Sequence, residues 1–178
     1  MFFPTNIRVK LFVIHLFKDD PHKCTARKLK RFGLVIFSKK PPKNTLFLTP
    51  YARIPISPND KTIALGHGIT AVDASWKKIE DIRRMHFKNE RKLPFLIASN
   101  PVNYGMPFRL STAEAFSAAL YIMNFKDAAE IILSKFKWGP TFLKINRDLL
   151  ERYTLAKNHR EVSEIEKEII NNYSKHKT

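Results

Sequence analysis

The sequence predicts an α/β protein with a parallel sheet and a small, basic, β-rich N-terminal part. Short apolar runs alternate with helical patterns over the first part of the chain, which is typical of a parallel sheet. Helical periodicity alone follows in the last third. With 178 residues, 44% of them apolar, the chain is long enough to bury a core.

The N-terminal part contains three predicted strands and one short helix. Residues 7–16 alternate apolar and polar side chains, which indicates a strand with one buried face. Thr25 is a plausible N-cap for a basic helix, and Gly33 stands where a C-terminal cap is expected. Two further strands are predicted at 34–37 and 45–50.

A domain boundary is predicted in the stretch rich in proline and turn residues that follows these strands. It divides the chain into an N-terminal domain of residues 1–58 and a C-terminal domain of residues 59–178.

Two units of strand, polar turn and helix are predicted next. An apolar strand ends at Asp73, and a helix is expected to begin at Ser75. Residues 96–99 form a second short apolar run, and Ser111 with Glu114 has the capping-box spacing of a helix start. Because parallel strands end at the same edge of a sheet, we expect the two polar loops to form one crevice.

Each loop of this crevice has two interpretations. Unpaired N–H groups at the helix start near Ser111 would favour a negatively charged ligand. A structural turn whose backbone groups are all hydrogen-bonded within the protein would explain the same residues. Asp73 and Trp76 could both face a ligand, although an N-cap carboxylate and a core indole are as common. The last part of the chain is expected to be helical over 126–135, 142–156 and 161–173.

The charge of the chain predicts a polyanionic partner. The formal net charge is +16 and the isoelectric point about 10.1. The first forty residues contain ten basic and two acidic residues. Such an excess repels itself unless an acidic partner neutralises it, and nucleic acid is the leading candidate.

Several classes are disfavoured by what the sequence lacks. Cys24 is the only cysteine, which excludes a disulfide framework and fits a cytoplasmic setting. No apolar run approaches the roughly 18 residues of a membrane span, so we expect no membrane partner. The histidines show no metal-ligand spacing and no metal is expected. Serine hydrolase and dinucleotide-binding fingerprints are also missing.

The residues between Leu93 and Ala115 resemble the signature of the archaeal and eukaryotic small-subunit rRNA aminocarboxypropyltransferases, and the resemblance extends over residues 7–153. Its centre is Asn100-Pro101-Val102-Asn103-Tyr104-Gly105, and similar landmarks are Cys24-Thr25, Asp73-Ala74-Ser75-Trp76 and Phe136-Lys137-Trp138-Gly139. Ala74 departs from the cysteine more frequent in the family, which argues against a thiol role there.

The resemblance implies transfer of the 3-amino-3-carboxypropyl group of S-adenosyl-L-methionine (SAM), rather than the methyl group. The implied acceptor is a 1-methylpseudouridine in the rRNA of the pre-ribosomal small subunit. The implied fold is SPOUT-like, with a deep trefoil knot on the C-terminal side, and the implied state is a monomer.

The resemblance also implies site residues. The residues implied to bind SAM are Thr25, Val72, Leu93, Phe108 and Thr112, and Leu48, Leu96 and Ser111 are further candidates. Asp73 is expected to help deprotonate the base or to balance charge, and Trp76 to form a wall beside the methyl group. The basic residues expected to bind RNA are Arg27, Lys28, Lys30 and Arg31.

Three other functions stay open at this point. An ordinary SPOUT methyltransferase would use the same cofactor and the same RNA. A non-enzymatic RNA-binding assembly factor would explain the charge alone. A metal-dependent enzyme acting on nucleic acid is disfavoured, because no acidic and histidine cluster is visible.

Overall fold

A parallel sheet lies at the centre of the chain, whose computed structural model describes residues 7–15, 24–73 and 87–175. The described strands are β1 Leu11–His15, β2 Ile36–Ser38, β3 Leu46–Leu48, β4 Ile69–Asp73 and β5 Glu90–Arg91. Their order is β2-β1-β4-β3-β5, and every pairing is parallel. The predicted α/β class with a parallel sheet is confirmed. The predicted helix from Ser75, with Trp76, lies outside the described residues.

The two central strands, β1 and β4, pair over five residues, from Leu11 opposite Ile69 to His15 opposite Asp73. Leu11, Val13 and Ile69 are almost completely buried. Strands covered on both faces are typical of parallel sheets, since the connecting helices pack on them. The register places the side chains of His15 and Asp73 next to each other at the carboxyl edge.

The strands that follow β1 and β4 in the chain lie at opposite edges of the sheet. From β1 the chain passes through helix α1, Thr25–Arg31, to β2 at one edge of the sheet. From β4 it continues to β5 at the other edge. Such a divergence opens a crevice outside the carboxyl ends of the strands, where open α/β sheets place ligands.

The remaining described helices are α2 Lys61–His67, α3 Thr112–Ile122, α4 Lys126–Leu133, α5 Gly139–Thr154 and α6 His159–Lys175. Helix α3 is buried at all but one of its positions and packs against α1, β4, α4 and α5. Its apolar side chains are distributed around the circumference rather than along one stripe, as expected of a helix enclosed by other elements. None of the described helices combines the length and apolar character needed to cross a bilayer.

Gly68 closes α2 and leads into β4. Its φ of 80° lies in the left-handed region, and a Cβ there would come within 2.5 Å of the Lys10 carbonyl oxygen. Only glycine fits this position without strain. The close approach lets β4 enter the sheet directly beside the start of β1.

The prediction of a strand at residues 96–99 is wrong, because this segment does not join the sheet, whose edge beyond β3 is β5. Its backbone pairs with the loop that follows: Ala98 N donates to Met106 O at 3.0 Å, and Phe108 N to Leu96 O at 2.9 Å. The side-chain amide of Asn146 bonds to both Ile97 N and Ile97 O at 2.8 Å. A short apolar run indicates burial, and here other partners satisfy its backbone.

The helix ends also differ from the predictions. The N-cap of α1 is Cys24 rather than Thr25, because the Cys24 sulfur accepts from Arg27 N. The predicted C-terminal role of Gly33 is confirmed: its φ is 70°, and Leu34 N donates to Leu29 O. Helix α5 begins at Gly139, before the predicted residue 142, because Pro140 is tolerated in a first turn.

Strands from both sides of residue 58 belong to the same sheet, since β1, β2 and β3 precede it and β4 and β5 follow. The division into domains 1–58 and 59–178 stays a prediction, and the sheet crosses it.

Candidate functional site

Three elements converge on the carboxylate of Asp73 at the carboxyl end of β4. Its Oδ2 accepts from His15 Nδ1 at 2.8 Å and from the Cys24 thiol at 3.1 Å. Its Oδ1 accepts from the Thr112 hydroxyl at 3.2 Å. The donors come from β1, from the cap of α1 and from the first residue of α3. The carboxylate is therefore held in one position at the point where the sheet connections diverge.

His15 carries an unsatisfied polar atom in this cluster. Its Nε2 is buried and has no hydrogen-bond partner among the described residues. The ring stacks on Phe37, with 5.0 Å between ring centroids. Because buried polar atoms are nearly always paired, an orphan nitrogen beside a fixed carboxylate marks a place where a ligand could bind.

The Cys24 thiol is a hydrogen-bond donor in this cluster. The pKa of Cys24 is raised to about 11, chiefly by burial and in smaller part by the neighbouring Asp73 carboxylate, whereas the backbone N–H of Arg27 opposes the shift. The thiol is therefore protonated at neutral pH, which suits donation to a carboxylate and not nucleophilic attack.

His15, Cys24 and Asp73 also form a group that could hold a metal ion, since their possible ligand atoms lie within 4.8 Å of one another. A metal would need Cys24 as a thiolate. The raised thiol pKa opposes that form, and hydrogen bonds already join the three side chains.

The structure brings together several residues that the sequence indicated separately. Thr25 Oγ1 accepts from Ala113 N at 3.4 Å, which joins the start of α1 to the start of α3. Thr25, Asp73 and Thr112 therefore lie in one small region. Val72 precedes Asp73 on β4, and Leu48 ends the adjacent β3. Trp76 lies outside the described residues.

A second group of predicted residues belongs to the segment that leads to α3. Leu96 is fully buried, which leaves its side chain no surface for a ligand in this conformation. Leu93 is partly buried against the core. Phe108 is exposed, and its ring meets Phe95 edge-on at 5.3 Å. Ser111 is the N-cap of α3, next to Thr112.

The capping box of Ser111 and Glu114 is confirmed, and the N–H groups of Ser111, Ala113 and Glu114 are each paired with a side chain. The fully buried Glu114 carboxylate accepts from the backbone N–H groups of Ser99, Asn100 and Ser111 at 2.7, 3.0 and 2.7 Å. The Asn100 amide donates to it as well, at 2.7 Å. The Glu114 carboxylate therefore pairs the N–H groups of Ser99, Asn100 and Ser111, which are not free for an anionic ligand.

A basic groove of about 510 Å³ adjoins the Asp73 cluster. Its lining is His15, Arg27, Lys30, Arg31 and Phe37. Three of the four residues predicted to bind RNA therefore share one groove. The fourth, Lys28, is not among the lining residues, and its ammonium lies 4.9 Å from the ring centroid of Phe136. His15 belongs to both the groove and the cluster, so the two are adjacent.

His15 and Cys24 were missed as contributors by the sequence reasoning. Their hydrogen bonds to Asp73 span 58 and 49 residues of chain. Only the register of β1 against β4 would have indicated that His15 lies beside Asp73, and a single sequence does not reveal that register.

Comparisons with known proteins identify the family of this chain. Residues 46–170 match the family described as "Ribosome biogenesis protein, C-terminal". The chain is 52% identical to a 16S rRNA aminocarboxypropyltransferase of Methanocaldococcus jannaschii, covering 90% of this chain and 96% of the relative. The chain belongs to the Tsr3 family of 16S rRNA aminocarboxypropyltransferases. The resemblance of the Leu93–Ala115 segment is thereby confirmed, and the chain is an enzyme.

Other family members agree in length and fold. The Methanothermobacter thermautotrophicus aminocarboxypropyltransferase is 46% identical over 91% of this chain and 99% of the relative. The solved structure of the SAM-dependent rRNA:acp-transferase Tsr3 from Vulcanisaeta distributa superposes with a TM-score of 0.81, at 41% identity and 89% coverage of both chains.

Residues 9–41 also match a family described as "Possible Fer4-like domain in RNase L inhibitor, RLI". A [4Fe–4S] cluster needs four cysteine thiolates, and Cys24 is the only cysteine of the sequence. The match therefore concerns the β1-α1-β2 segment and brings no cluster ligands.

Proposed function

We propose that this chain transfers the 3-amino-3-carboxypropyl group of SAM to small-subunit rRNA during ribosome maturation. Its 52% identity to a 16S rRNA aminocarboxypropyltransferase over nearly the whole length of both chains carries the proposal. The proposal is further supported by the Asp73 cluster at the carboxyl edge of the sheet and by the basic groove beside it.

The residues around Asp73 fit SAM. The cofactor has a positive sulfonium and an amino-acid end, and Asp73 offers a fixed negative charge at the carboxyl edge of the sheet. Leu48 and Val72 add apolar side chains at that edge. His15 Nε2 is a buried polar atom without a partner among the described residues. When bound, SAM supplies an aminocarboxypropyl carbon that the positive sulfur activates toward a nucleophile.

Each polar residue of the cluster has a role in this proposal. Thr25 Oγ1 accepts from Ala113 N, so its own O–H can donate to the carboxylate of the amino-acid end. Asp73 balances positive charge and takes a modest part in removing the proton of the base. His15, Cys24 and Thr112 hold the Asp73 carboxylate in place. Trp76 is proposed as the wall that covers the methyl group.

The basic groove is proposed to hold the RNA backbone. Arg27, Lys30 and Arg31 contribute three cations to the groove that His15 also lines. Cations that line a groove bind phosphates without reading sequence and position the strand. Since His15 joins the groove to the cluster, a nucleotide held there would lie next to Asp73.

The acceptor is proposed to be a 1-methylpseudouridine of the small-subunit rRNA. We would incubate the chain with small-subunit rRNA and SAM labelled either at the carboxyl carbon or at the methyl carbon. The carboxyl label should enter RNA that carries 1-methylpseudouridine, and the methyl label should not. Transfer of the methyl label would establish the SPOUT methyltransferase alternative, and no transfer of either label would overturn the proposal.

We further infer a SPOUT-like class with a trefoil knot on the C-terminal side, a monomeric state and a cytoplasmic location. The parallel sheet supports the first, and a single cysteine in the sequence supports the last. Sedimentation velocity tests the monomer, fractionation of cells tests the location, and an experimentally traced backbone tests the knot.

A further inference from the structure

The loop from Asn100 to Leu110 exposes four large apolar side chains at alternate positions. Val102 is 68% exposed, Tyr104 65%, Met106 46% and Phe108 44%. Eleven large apolar side chains are exposed in the part of the chain that the structure describes, and four of them lie within residues 102–108. A concentration of this kind marks a contact surface, whereas scattered exposed residues need no explanation.

The backbone of this loop is held by hydrogen bonds within the loop and to the segment that precedes it. Gly105 N donates to Ala98 O at 2.8 Å, Met106 N to Asn103 O at 3.0 Å, and Phe108 N to Leu96 O at 2.9 Å. The buried Glu114 carboxylate binds both ends of the loop, at Asn100 and Ser111. A partner that binds these exposed side chains therefore orders little additional chain, which reduces the entropic penalty of binding.

Phe108 adopts a backbone conformation that is unusual for its residue type. Its φ of 63° lies in the left-handed region, where a bulky side chain is disfavoured. Such conformations persist where the surrounding structure holds them, and they concentrate at binding sites. The internal hydrogen bonds of the loop supply that support, and the Phe108 ring remains exposed.

The loop is continuous with the candidate site. It ends at the N-cap of α3, Ser111, and the next residue, Thr112, donates to Asp73. Arg109 adds a cation within the loop. The loop therefore leads directly into an element that contacts Asp73.

We propose that residues 102–108 form a stacking platform for unpaired rRNA bases that flank the target nucleotide, with Tyr104 as its principal aromatic side chain. This inference rests on the proposed function. The net charge of +16 favours a polyanion over a protein partner. Proteins that read single-stranded RNA stack splayed bases on exposed aromatic rings, and a base that is modified must leave its stack.

The test compares Tyr104→Ala with Tyr104→Phe in fluorescence-anisotropy titrations of a single-stranded rRNA fragment that contains the target. Tyr104→Ala should weaken RNA binding about tenfold, whereas Tyr104→Phe should bind like the wild type. Leu155→Ala is the matched control, because Leu155 is 80% exposed at the end of α5. The salt dependence should be unchanged in Tyr104→Ala, since stacking releases no counterions. SAM affinity measured by calorimetry should also be unchanged.

Three results would overturn the platform. The first is wild-type RNA affinity in Tyr104→Ala, measured on a preparation that transfers the carboxyl label. The second is an equal loss of SAM affinity, which would place the loop in the cofactor site. The third is a loss of small-subunit binding with unchanged affinity for free RNA, which would identify a protein partner. If the wild-type chain transfers no label and binds no RNA, the proposed function fails together with the platform.

Discussion

His15 and Asp73 are neighbours through both backbone and side chain. They are the last of five residue pairs between β1 and β4, and His15 Nδ1 donates to Asp73 Oδ2 at 2.8 Å. Because the strand register places the two Cα atoms side by side, the imidazole holds the carboxylate at the carboxyl edge of the sheet. The same imidazole lines the basic groove, so this hydrogen bond connects the proposed SAM and RNA sites.

Replacement of Asp73 should slow transfer more than it weakens SAM binding. Asp73→Ala removes the fixed charge, and we expect a loss of about tenfold to a hundredfold in single-turnover label transfer. His15→Leu should have a smaller effect in the same direction, and His15→Gln should recover part of it because the amide can donate to Asp73. His67→Gln is the control, since His67 is exposed on α2. A full-rate Asp73→Ala variant would remove Asp73 from the reaction.

Alkylation of Cys24 should report its protonation. Because the thiol pKa is raised to about 11 from 9.0, the rate of reaction with iodoacetamide should rise through pH 11 in the folded chain and near pH 9 in urea. The single cysteine makes the readout unambiguous. A rate that levels off by pH 9 in the folded chain would contradict the burial of this thiol.

The same shift has a consequence for stability. In the folded state the Cys24 thiol keeps its proton up to a higher pH than in the unfolded state. Its contribution to the free energy of unfolding is therefore complete below pH 9 and is lost as the pH rises to about 11. The difference in free energy of unfolding between the wild type and Cys24→Ser should therefore diminish over this range. A constant difference would show that the thiol does not contribute.

Glu114→Gln should destabilise the chain strongly. The buried carboxylate accepts hydrogen bonds from three backbone N–H groups. The side-chain NH2 of a glutamine is itself a donor, so it could not replace the carboxylate oxygen that accepts from these groups. We expect the free energy of unfolding in urea to fall by about 2 to 4 kcal/mol. Glu168→Gln, whose 60% exposed side chain pairs with Arg152, should change it by less than about 1 kcal/mol. Equal effects of the two variants would contradict the buried role of Glu114.

The groove cations should determine the salt dependence of RNA binding. Arg27→Ala and Arg31→Ala should each reduce the slope of log affinity against log salt by about 0.7, the value for one contact to single-stranded nucleic acid. Lys28→Ala should change it less, because Lys28 lies over Phe136 outside the groove lining. Lys167→Ala, on the exposed side of α6, is the control. Equal slopes in all four variants would place the RNA elsewhere.

Several features of this protein could be predicted from residues that are close together in the sequence. The strand that ends at Asp73, the capping box of Ser111 and Glu114, and the C-terminal cap at Gly33 all follow from residues a few positions apart. Helix ends and strand alternation depend on such short spacings, so a single sequence contains them. The charge that indicates an acidic partner is a property of composition alone.

The tertiary structure decided how these pieces meet. Residues 96–99 satisfy their backbone with a loop and with Asn146 instead of a strand, which no local pattern distinguishes from a buried strand. His15, Cys24 and Thr112 reach Asp73 across 58, 49 and 39 residues of chain. Contacts at such separations depend on strand register and helix packing, which arise from the fold as a whole. The sequence thus determined the elements and the chemistry available, and the fold determined which side chains share one carboxylate.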